Sequence, residues 1–219
     1  MFAIAIDGPA GAGKSTVAKE VAKKLEFVYV DTGAIYRTLA YYILKNNIDI
    51  NDVDFLESEL KKVKIKIEHE QDGQKMYLLG EDITEKIRTP EITMMASTSS
   101  AIPCVRAFLL SLQTDLANEY NVVMDGRDIG TVVLPNAQLK VFLTASPEER
   151  ARRRTLDFKE KGIDEPYEKV LAEIKVRDCQ DSNREIAPLK PAEDAVVIDS
   201  SRLSFDEVVE EFIKLAKKL

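Results

Sequence analysis

Short apolar runs alternate with longer stretches of helical periodicity along the chain, and this alternation predicts strands joined by helices. Runs rich in β-branched and other apolar residues occur at 2–6, 27–30, 121–125, 139–143 and 195–199. Apolar residues at helical spacing occupy most of the sequence between these runs. A strand followed by a helix and a second strand favours parallel pairing with a right-handed crossover. The predicted fold class is therefore α/β, with a mainly parallel sheet.

Residues 61–90 break this rhythm, since apolar and charged residues alternate with a period of two at 63–68. Residues 71–74 predict a turn, and the apolar run 76–79 predicts the returning strand of a β-hairpin. Because the hairpin lies between two helical patterns, we interpret it as a small insertion at the edge of the main domain. A structural role is one interpretation, and a wall over a bound substrate, to which Arg88 contributes, is the other.

The first apolar run leads directly into a glycine-rich turn and then into a helical pattern. Residues 8–15 fit G-x-x-x-x-G-K-[ST] without a gap. Glycines let backbone N–H groups approach phosphate oxygens, and the helix that begins near Lys14 adds its positive end. Lys14 would supply a cation to the β- and γ-phosphates, and Ser15 a hydroxyl to Mg²⁺. The pattern predicts a nucleoside triphosphate site; a glycine turn with an incidental lysine is the alternative.

Polar residues follow two further predicted strands, at the sheet edge where ligands of α/β proteins bind. Asp31 and Thr32 follow the second strand, although both also suit the N-cap of the next helix. Arg37 comes one turn later, with a solvated helix residue as its alternative interpretation. Asp125 ends the third run, where an Asp of phosphate-loop proteins orients Mg²⁺. We therefore expect a polar site beside the phosphate loop.

The three residues that follow Asp125 are expected to add to this polar site. Gly126 is expected to turn the chain sharply, so that Arg127 and Asp128 point towards the same face as Lys14. A simple turn of four residues is the alternative. The local pattern therefore leaves the roles of Arg127 and Asp128 open.

Further polar residues lie on predicted helices. Ser97 and Arg106 lie within two helices at 91–120, where helix capping and surface charge explain them at least as well as a site. Arg177, Asp181 and Arg184 are spaced to share one helical face. A salt-bridge ladder on that face is the alternative to ligand binding.

A run of arginines follows the fourth strand, in a helix that Ser146 and Pro147 are expected to begin. Its members are Arg150, Arg152, Arg153 and Arg154. Because the chain carries a net charge of −7, the run favours an anionic small ligand over nucleic acid. Pairing with acidic neighbours such as Glu148, Glu149 and Asp157 is the alternative. The segment 150–165 is the candidate lid.

Length and composition narrow the class of protein. A chain of 219 residues allows one core, alone or with a small inserted domain. No apolar run is long enough to span a bilayer, and no signal peptide is expected. Two distant cysteines suit a reducing compartment, and a single histidine excludes a histidine-based triad or a histidine-rich metal site. We expect a cytoplasmic protein with no membrane or nucleic-acid partner.

Three classes of protein use a phosphate loop of this kind: small-molecule kinases, GTP-driven switches and non-catalytic nucleotide-binding modules. A switch needs D-x-x-G and N-K-x-D segments, and neither occurs in this sequence. The density of arginines disfavours a module without catalysis. Phosphoryl transfer needs fixed cations around the transferred group, together with positioning and exclusion of water. A kinase is therefore favoured.

The chain resembles the bacterial cytidylate kinases, a family of nucleoside monophosphate kinases, over essentially its whole length. The resemblance rests on IDGPAGAGKST at 6–16, DTGAIYR at 31–37, DGRDIGTVV at 125–133 and EIKVRD at 173–178. It implies transfer of the ATP γ-phosphate to CMP or dCMP with Mg²⁺, on a P-loop kinase fold. It also implies a core of 1–60, 91–149 and 166–219, an inserted nucleoside-monophosphate-binding subdomain of about 61–90, and an arginine-rich helical lid of about 150–165. A kinase for another nucleotide or a small metabolite is the alternative within the same class.

The resemblance implies roles for individual residues, and the local pattern adds Thr32 and Arg88 to the substrate-binding set. The residues that it implies bind ATP are Gly8, Pro9, Ala10, Gly11, Ala12, Gly13, Lys14, Ser15 and Thr16, together with Arg153 and Arg154 of the lid. Mg²⁺ is expected at Ser15 and Asp125, and the catalytic cations are Lys14, Arg127, Arg177 and Arg184. The acceptor phosphate would meet Arg37, Arg127 and Arg184, the ribose Arg177 and Asp181, and the cytosine edge Ser97, Arg106 and Asp128.

One position departs from the family pattern. Thr32 stands where the family often has serine, so the hydroxyl is kept and a methyl group is added beside the acceptor. This leaves the preference between CMP and dCMP open. A monomer is expected.

Overall fold

The computed structural model describes residues 1–70, 73–160 and 162–219. Its strands, in chain order, are β1 (Ala3–Asp7), β2 (Val28–Asp31), β3 (Ile65–Glu70), β4 (Gly73–Leu78), β5 (Glu81–Asp82), β6 (Val122–Gly126), β7 (Leu139–Thr144) and β8 (Val196–Asp199). Its α-helices are α1 (Lys14–Leu25), α2 (Thr32–Lys45), α3 (Val53–Leu60), α4 (Pro90–Ser99), α5 (Pro103–Glu119), α6 (Pro147–Glu160), α7 (Tyr167–Asn183) and α8 (Phe205–Ala216).

The main sheet has the strand order β2-β6-β1-β7-β8, and all of its neighbouring pairs are parallel. The chain leaves β1 towards one side of the sheet, through β2 and β6, and then crosses to the other side, through β7 and β8. The loop after β1 therefore lies at the point where the strand order reverses, which is where open α/β sheets bind ligands. The predicted parallel α/β fold is confirmed.

Two apolar cores cover the two faces of this sheet. Ile4 and Ile6 of β1 face one core, which α1 and α8 complete with Val21 and Phe212. Ala3 and Ala5 belong to the other core, which α2, α4 and α5 cover. All of β1 is buried, as expected for a parallel strand between two helical layers. A third, smaller cluster joins α6 to α7.

The predicted hairpin is present and forms a separate antiparallel sheet of β3, β4 and β5. The short β5, which consists of two exposed acidic residues, was not predicted. Gly73 and Gln74 begin β4, so the predicted turn at 71–74 is wrong for these two residues, and residues 71 and 72 lie outside the described residues. The Gln74 side chain contacts the backbone of Asp31 and so joins the small sheet to β2.

The chain bends at Arg127 and Asp128, directly after Gly126, so the predicted turn is present. Gly126 is the last residue of β6, and Ile129–Val133 forms a short π-helix that sequence patterning did not predict. A Cβ at Gly126 would lie 2.6 Å from the Cδ1 atom of Ile129 and 2.8 Å from the hydroxyl of Thr32. Glycine is therefore needed here for close packing rather than for a turn.

In the described part of the chain, no single helix has the length and apolar character needed to cross a membrane. Helices α4 and α5 meet that criterion only when they are taken together, across a bend of 102°.

Two phenylalanines of α8 provide a test of how strongly the second core layer stabilises the fold. Phe212 is fully buried, whereas Phe205 is 44% exposed on the same helix. We expect Phe212→Ala to lower the free energy of unfolding by about 3–5 kcal/mol, because it leaves a cavity in the core. Phe205→Ala is the matched control and should cost less than about 1 kcal/mol. Urea denaturation measures both, and equal losses would contradict the packing described here.

Candidate active site

The phosphate loop connects β1 to α1, and its glycines set its shape. Gly8 has a φ of 149°, and a Cβ there would lie 2.0 Å from the carbonyl oxygen of Leu143. Gly13 is the N-cap of α1, with a φ of 86°, and no side chain of the described residues caps this helix. The first N–H groups of α1 are therefore available to an anion, which the positive end of the helix attracts.

Lys14 is held inside the loop. It is only 6% exposed, and its Nζ donates a hydrogen bond to the Pro9 carbonyl oxygen at 2.8 Å. Burial lowers the pKa of Lys14, the charge of Arg127 lowers it further, and Asp125 opposes this shift. A phosphate group bound beside Lys14 would favour its charged form, because an opposite charge offsets both burial and the neighbouring arginine.

Asp125 lies beside Lys14 at the end of β6 and accepts two hydroxyl hydrogen bonds. Ser15 donates to Oδ2 at 2.8 Å, and Tyr29 donates to Oδ1 at 2.9 Å. Burial raises the pKa of Asp125 to about 6, and the nearby Asp31 adds to the shift. A carboxylate and a hydroxyl in this arrangement fit Mg²⁺, which takes one or two protein oxygens and completes its shell with phosphate and water. Among the described residues, no cluster of three or more acidic, His or Cys side chains could hold a metal by itself.

A cavity of about 560 Å³ opens in front of the phosphate loop, at the carboxyl ends of β1, β2 and β6. It brings together most of the residues predicted from the sequence. Those that line it are Ala10, Gly11, Gly13, Lys14, Ser15, Thr16, Thr32, Arg37, Ser97, Arg106, Asp125, Arg127, Asp128, Arg153, Arg154, Arg177, Asp181 and Arg184. Gly8, Pro9 and Ala12 belong to the loop but do not line the cavity.

Arg88 is the predicted substrate-binding residue that the structure places elsewhere. It ends a short 3₁₀ turn, its side chain is 63% exposed, and its Nε lies 3.8 Å from a carboxylate oxygen of Glu85. It lines a second cavity of about 420 Å³, between α1, β2 and the small sheet. Arg88 therefore does not line the cavity in front of the phosphate loop in this structure.

Carboxylates orient four of the arginines that line the cavity. Arg106 donates to Oδ2 of Asp128, and the Nη2 atom of Arg184 lies 3.6 Å from Oδ1 of the same carboxylate. Asp128 is 5% exposed, so this charge is buried together with its partners. Two similar pairs flank it: Arg127 donates to Asp181 at 2.9 Å, and Arg37 donates to Asp31 at 3.0 Å.

Positive charge nevertheless remains in excess in the cavity. The Nε of Arg177 and the Nη2 of Arg184 are buried without a hydrogen-bond partner among the described residues. Burial lowers the pKa of Arg177 to about 10, and the charge of Arg127 contributes. Unpaired buried donors are costly, and a phosphate oxygen would satisfy them. The cavity is therefore suited to an anionic ligand.

The prediction that the arginine run of α6 faces a ligand is wrong for two of its members. Arg150 is buried and donates to the carbonyl oxygens of Ala10 and Ala145 and to both oxygens of Asp178. Arg152 is exposed and pairs with Glu149. Charge pairing therefore explains these two residues, whereas Arg153 and Arg154 line the cavity.

Helix α7 supplies Arg177 and Asp181 from one face, as predicted. Arg184 lies beyond the last residue of α7, in extended conformation, so the shared helical face does not include it. Its Nε donates to the Ala187 carbonyl oxygen at 2.5 Å, which turns its other nitrogens towards the cavity. Arg184 therefore reaches the site through a loop.

Sequence reasoning missed two residues that hold site groups in place. Tyr29 fixes one oxygen of Asp125, and Asp178 fixes the guanidinium of Arg150. Tyr29 lies two residues before Asp31 on a strand, so its side chain points to the same side, and this alternation could have identified it. Nothing in the sequence pattern pairs Asp178 with a residue 28 positions away.

The fold and the site together define a class of protein, a phosphate-loop α/β kinase with an arginine-lined acceptor cavity. Comparison with known proteins gives the family. The family model described as "Cytidylate kinase" matches residues 4–218. The chain is 51% identical to a cytidylate kinase of Caldicellulosiruptor saccharolyticus, over 99% of this chain and 96% of that protein. It is 52% identical to a cytidylate kinase of Caldicellulosiruptor bescii, with the same coverage. The chain belongs to the cytidylate kinase family.

A solved structure supports the fold alone. The crystal structure of an uncharacterized protein from Eubacterium ventriosum superposes with a TM-score of 0.53 at 13% sequence identity, and the match covers all of both chains. The arrangement of elements therefore recurs in a chain of very different sequence.

The two kinds of arginine on α6 can be separated by their contributions to stability. We expect Arg150→Ala to lower the free energy of unfolding by about 3–5 kcal/mol, because it removes a buried guanidinium and leaves the carbonyl oxygens of Ala10 and Ala145 without their donor. Arg152→Ala is the matched control, and its exposed ion pair should contribute less than about 1 kcal/mol. Chemical denaturation of both variants measures the difference. Losses of similar size would mean that Arg150 does not anchor α6.

The raised pKa of Asp125 predicts how stability depends on pH. Its pKa is about 6 in the folded protein against an ordinary value of 3.8, so the folded state binds this proton more tightly. The resulting stabilisation is fully present below the unfolded value and is lost as the pH rises through about 6.

Asp125→Asn removes this titration and keeps an acceptor for Tyr29. Between about pH 4 and pH 8, we expect the wild type to lose roughly 2–3 kcal/mol of unfolding free energy relative to this variant. Urea denaturation at several pH values measures the difference curve. A difference that does not change with pH would contradict the burial of a titrating carboxylate.

Proposed function

We propose that the protein transfers the γ-phosphate of ATP to CMP or dCMP, giving ADP and the corresponding diphosphate. The observation that carries the proposal is Asp128, a buried carboxylate held by Arg106 and Arg184 in the cavity that the phosphate loop borders. Its position gives the acceptor side of the cavity a hydrogen-bond acceptor for an amino group. Membership of the cytidylate kinase family supports the same substrate class.

On the donor side, residues 8–16 hold the ATP phosphates through backbone N–H groups. Lys14 contacts the β- and γ-phosphates, and Ser15 and Asp125, which are hydrogen-bonded to each other, would hold Mg²⁺. When bound, the metal would supply positive charge for the charge that develops on the transferred group. Arg153 and Arg154 of α6 line the same cavity and complete the donor side.

On the acceptor side, the arginines have carboxylate partners that a phosphate can replace. Arg37, Arg127 and Arg184 bind the acceptor phosphate, since the planar guanidinium matches its oxygens and keeps its charge at any working pH. Arg177 and Asp181 bind the ribose. Positioning and electrostatic stabilisation by these fixed cations supply the catalysis, without a covalent intermediate.

The cytosine base is selected by Ser97, Arg106 and Asp128. The exocyclic amine of cytosine donates to the Asp128 carboxylate, whereas uracil presents a carbonyl oxygen at that position and is repelled. A site built around such a hydrogen bond rejects the analogue that cannot form it. Thr32 is buried beside this site and donates its hydroxyl to the Asp125 carbonyl oxygen at 2.7 Å.

We also propose that residues 61–90 form the acceptor-binding subdomain and that residues 150–165 form the lid. The separate sheet of β3–β5 and the paired helices α6 and α7 support this division. The protein acts as a cytoplasmic monomer without nucleic-acid or membrane partners, in keeping with a net charge of −7 and two free thiols.

The first experiment measures ADP release with MgATP and a panel of CMP, dCMP, UMP, dTMP, AMP and GMP. Turnover confined to CMP and dCMP is the expected result. Turnover of UMP at an equal rate would contradict the assignment of Asp128 to the base, and turnover of no acceptor in the panel would contradict the proposed activity.

Asp128→Asn tests the role of this carboxylate in base selection. The amide can donate to the uracil oxygen and keeps one acceptor for Arg106, so we expect the ratio of kcat/KM for CMP over UMP to fall about 100-fold. The KM for ATP is the internal control and should change less than about twofold, because Asp128 lies on the acceptor side. An unchanged ratio would exclude Asp128 as the base-selecting group.

A further inference from the structure

Asp7 is a buried carboxylate of the β1 terminus to which neither the phosphate loop nor the acceptor site assigns a role. It is 4% exposed and does not line the cavity. Its two oxygens accept hydrogen bonds from the backbone N–H groups of Ile129 and Gly130, each at 2.7 Å. These amides lie more than 120 positions away in the sequence and directly follow Asp128.

The hydrogen bonds that Asp7 accepts cap the π-helix of Ile129–Val133. Asp128 is the N-cap of this segment, but its own side chain forms no capping bond and is held by Arg106 instead. Asp7 provides from β1 the capping that Asp128 does not. The Asp128 carboxylate is thereby free to face the cavity.

Gly130 permits the close approach of Asp7. A Cβ at Gly130 would lie 3.3 Å from Oδ2 of Asp7 and 3.2 Å from the Cδ of Lys140. A side chain there would push the carboxylate and the amide apart. The motifs at 6–16 and 125–133 therefore contain a matched pair, an acid in one and a glycine in the other.

The charge of Asp7 is maintained by these two amides. Burial raises its pKa to about 6, while the hydrogen bonds from Gly130 and Ile129 oppose the shift. Asp7 forms no ion pair with any residue that the structure describes, and a buried carboxylate in that position is costly. Charge-assisted hydrogen bonds are the strong contacts that offset such a cost. The geometry therefore indicates that Asp7 serves to hold the segment after β6.

We propose that Asp7 is a positioning residue that fixes Asp128 and Arg127 relative to the phosphate loop and thereby sets the selectivity for the base. Asp7 immediately precedes Gly8, so the strand end that begins the nucleotide cradle also anchors the acceptor-side segment. The inference rests on the proposed function in one respect, since it takes Asp128 to be the group that selects the base.

Asp7→Asn tests the proposal, because the amide keeps one acceptor oxygen and presents an NH₂ group to the second backbone N–H. We expect the KM for CMP to rise about 10-fold and the selectivity for CMP over UMP to fall about 10-fold, which corresponds to the loss of one charge-assisted hydrogen bond. The KM for ATP should change less than about twofold. In amide NMR spectra, the proton resonance of Ile129 or Gly130 should move upfield.

Gly130→Ala disturbs the same contact from the opposite side and leaves the carboxylate intact. We expect the same pattern of a raised KM for CMP, reduced selectivity and an unchanged KM for ATP. Asp52→Asn is the control, because Asp52 also accepts a hydrogen bond from a backbone N–H, that of Phe55 at the start of α3, outside the site. It should leave all three quantities unchanged.

The outcomes separate this proposal from the proposed function. If the wild type does not prefer CMP to UMP, the base-selecting role of Asp128 is wrong, and the proposal for Asp7 is overturned with it, because there is no selectivity for Asp7 to set. If the wild type is selective and both variants keep its selectivity and KM for CMP, the positioning role is overturned. A rise in the KM for ATP of similar size would also overturn it, because Asp7 would then act through the phosphate loop. Should Asp7→Asn fail to fold, Gly130→Ala decides by the same ratios.

Discussion

The parallel pairing of β1 with β6 is the constraint on which the site depends. Its register places Ile6 opposite Asp125 and Asp7 opposite Gly126, so two segments far apart in sequence end at one edge of the sheet. Two apolar cores fix this register, since a shift by one residue would move every β1 side chain to the wrong face. The polar groups of the site are therefore positioned by the apolar cores and the paired strands, and they contribute little to the stability of that framework.

The site itself opposes folding. Buried basic groups with lowered pKa values stand beside buried acids with raised ones, and some guanidinium nitrogens lack partners among the described residues. The buried cations and the unpartnered nitrogens favour a bound anion, whereas the buried acids favour a bound cation such as Mg²⁺. Substrates that bring phosphate groups would stabilise the folded chain by mass action. In the absence of substrate, the two apolar cores supply the stability that keeps the charged cavity folded.

Local pattern was sufficient for most of the framework and for the phosphate loop. Strands, helices and caps depend on neighbouring residues, so Asp31 and Ser146 could be identified as N-caps from the sequence alone. Partners across the fold could not be identified in this way. Helical spacing places Arg150 and Arg153 on α6, but only the packing of α6 against α7 and the phosphate loop decides that one is buried and the other lines the cavity.

The π-helix after β6 shows the same limit. Its conformation follows from contacts with Asp7 and from the packing of Gly126 against Ile129, which no local preference encodes. The resemblance to a known family supplied what local pattern could not, since it singled out Asp128 and Arg177 among many charged residues. The structure adds the partners that orient these groups.

The buried guanidinium of Arg150 has a mechanical consequence. It joins the end of β7, the phosphate loop and α7 at one point, through Ala145, Ala10 and Asp178. The first turn of α6 is therefore fixed to the phosphate loop, and a motion of the helical pair α6–α7 that preserves these bonds must pivot there. A displacement of the far end of the pair would then act on the backbone of the phosphate loop through Arg150.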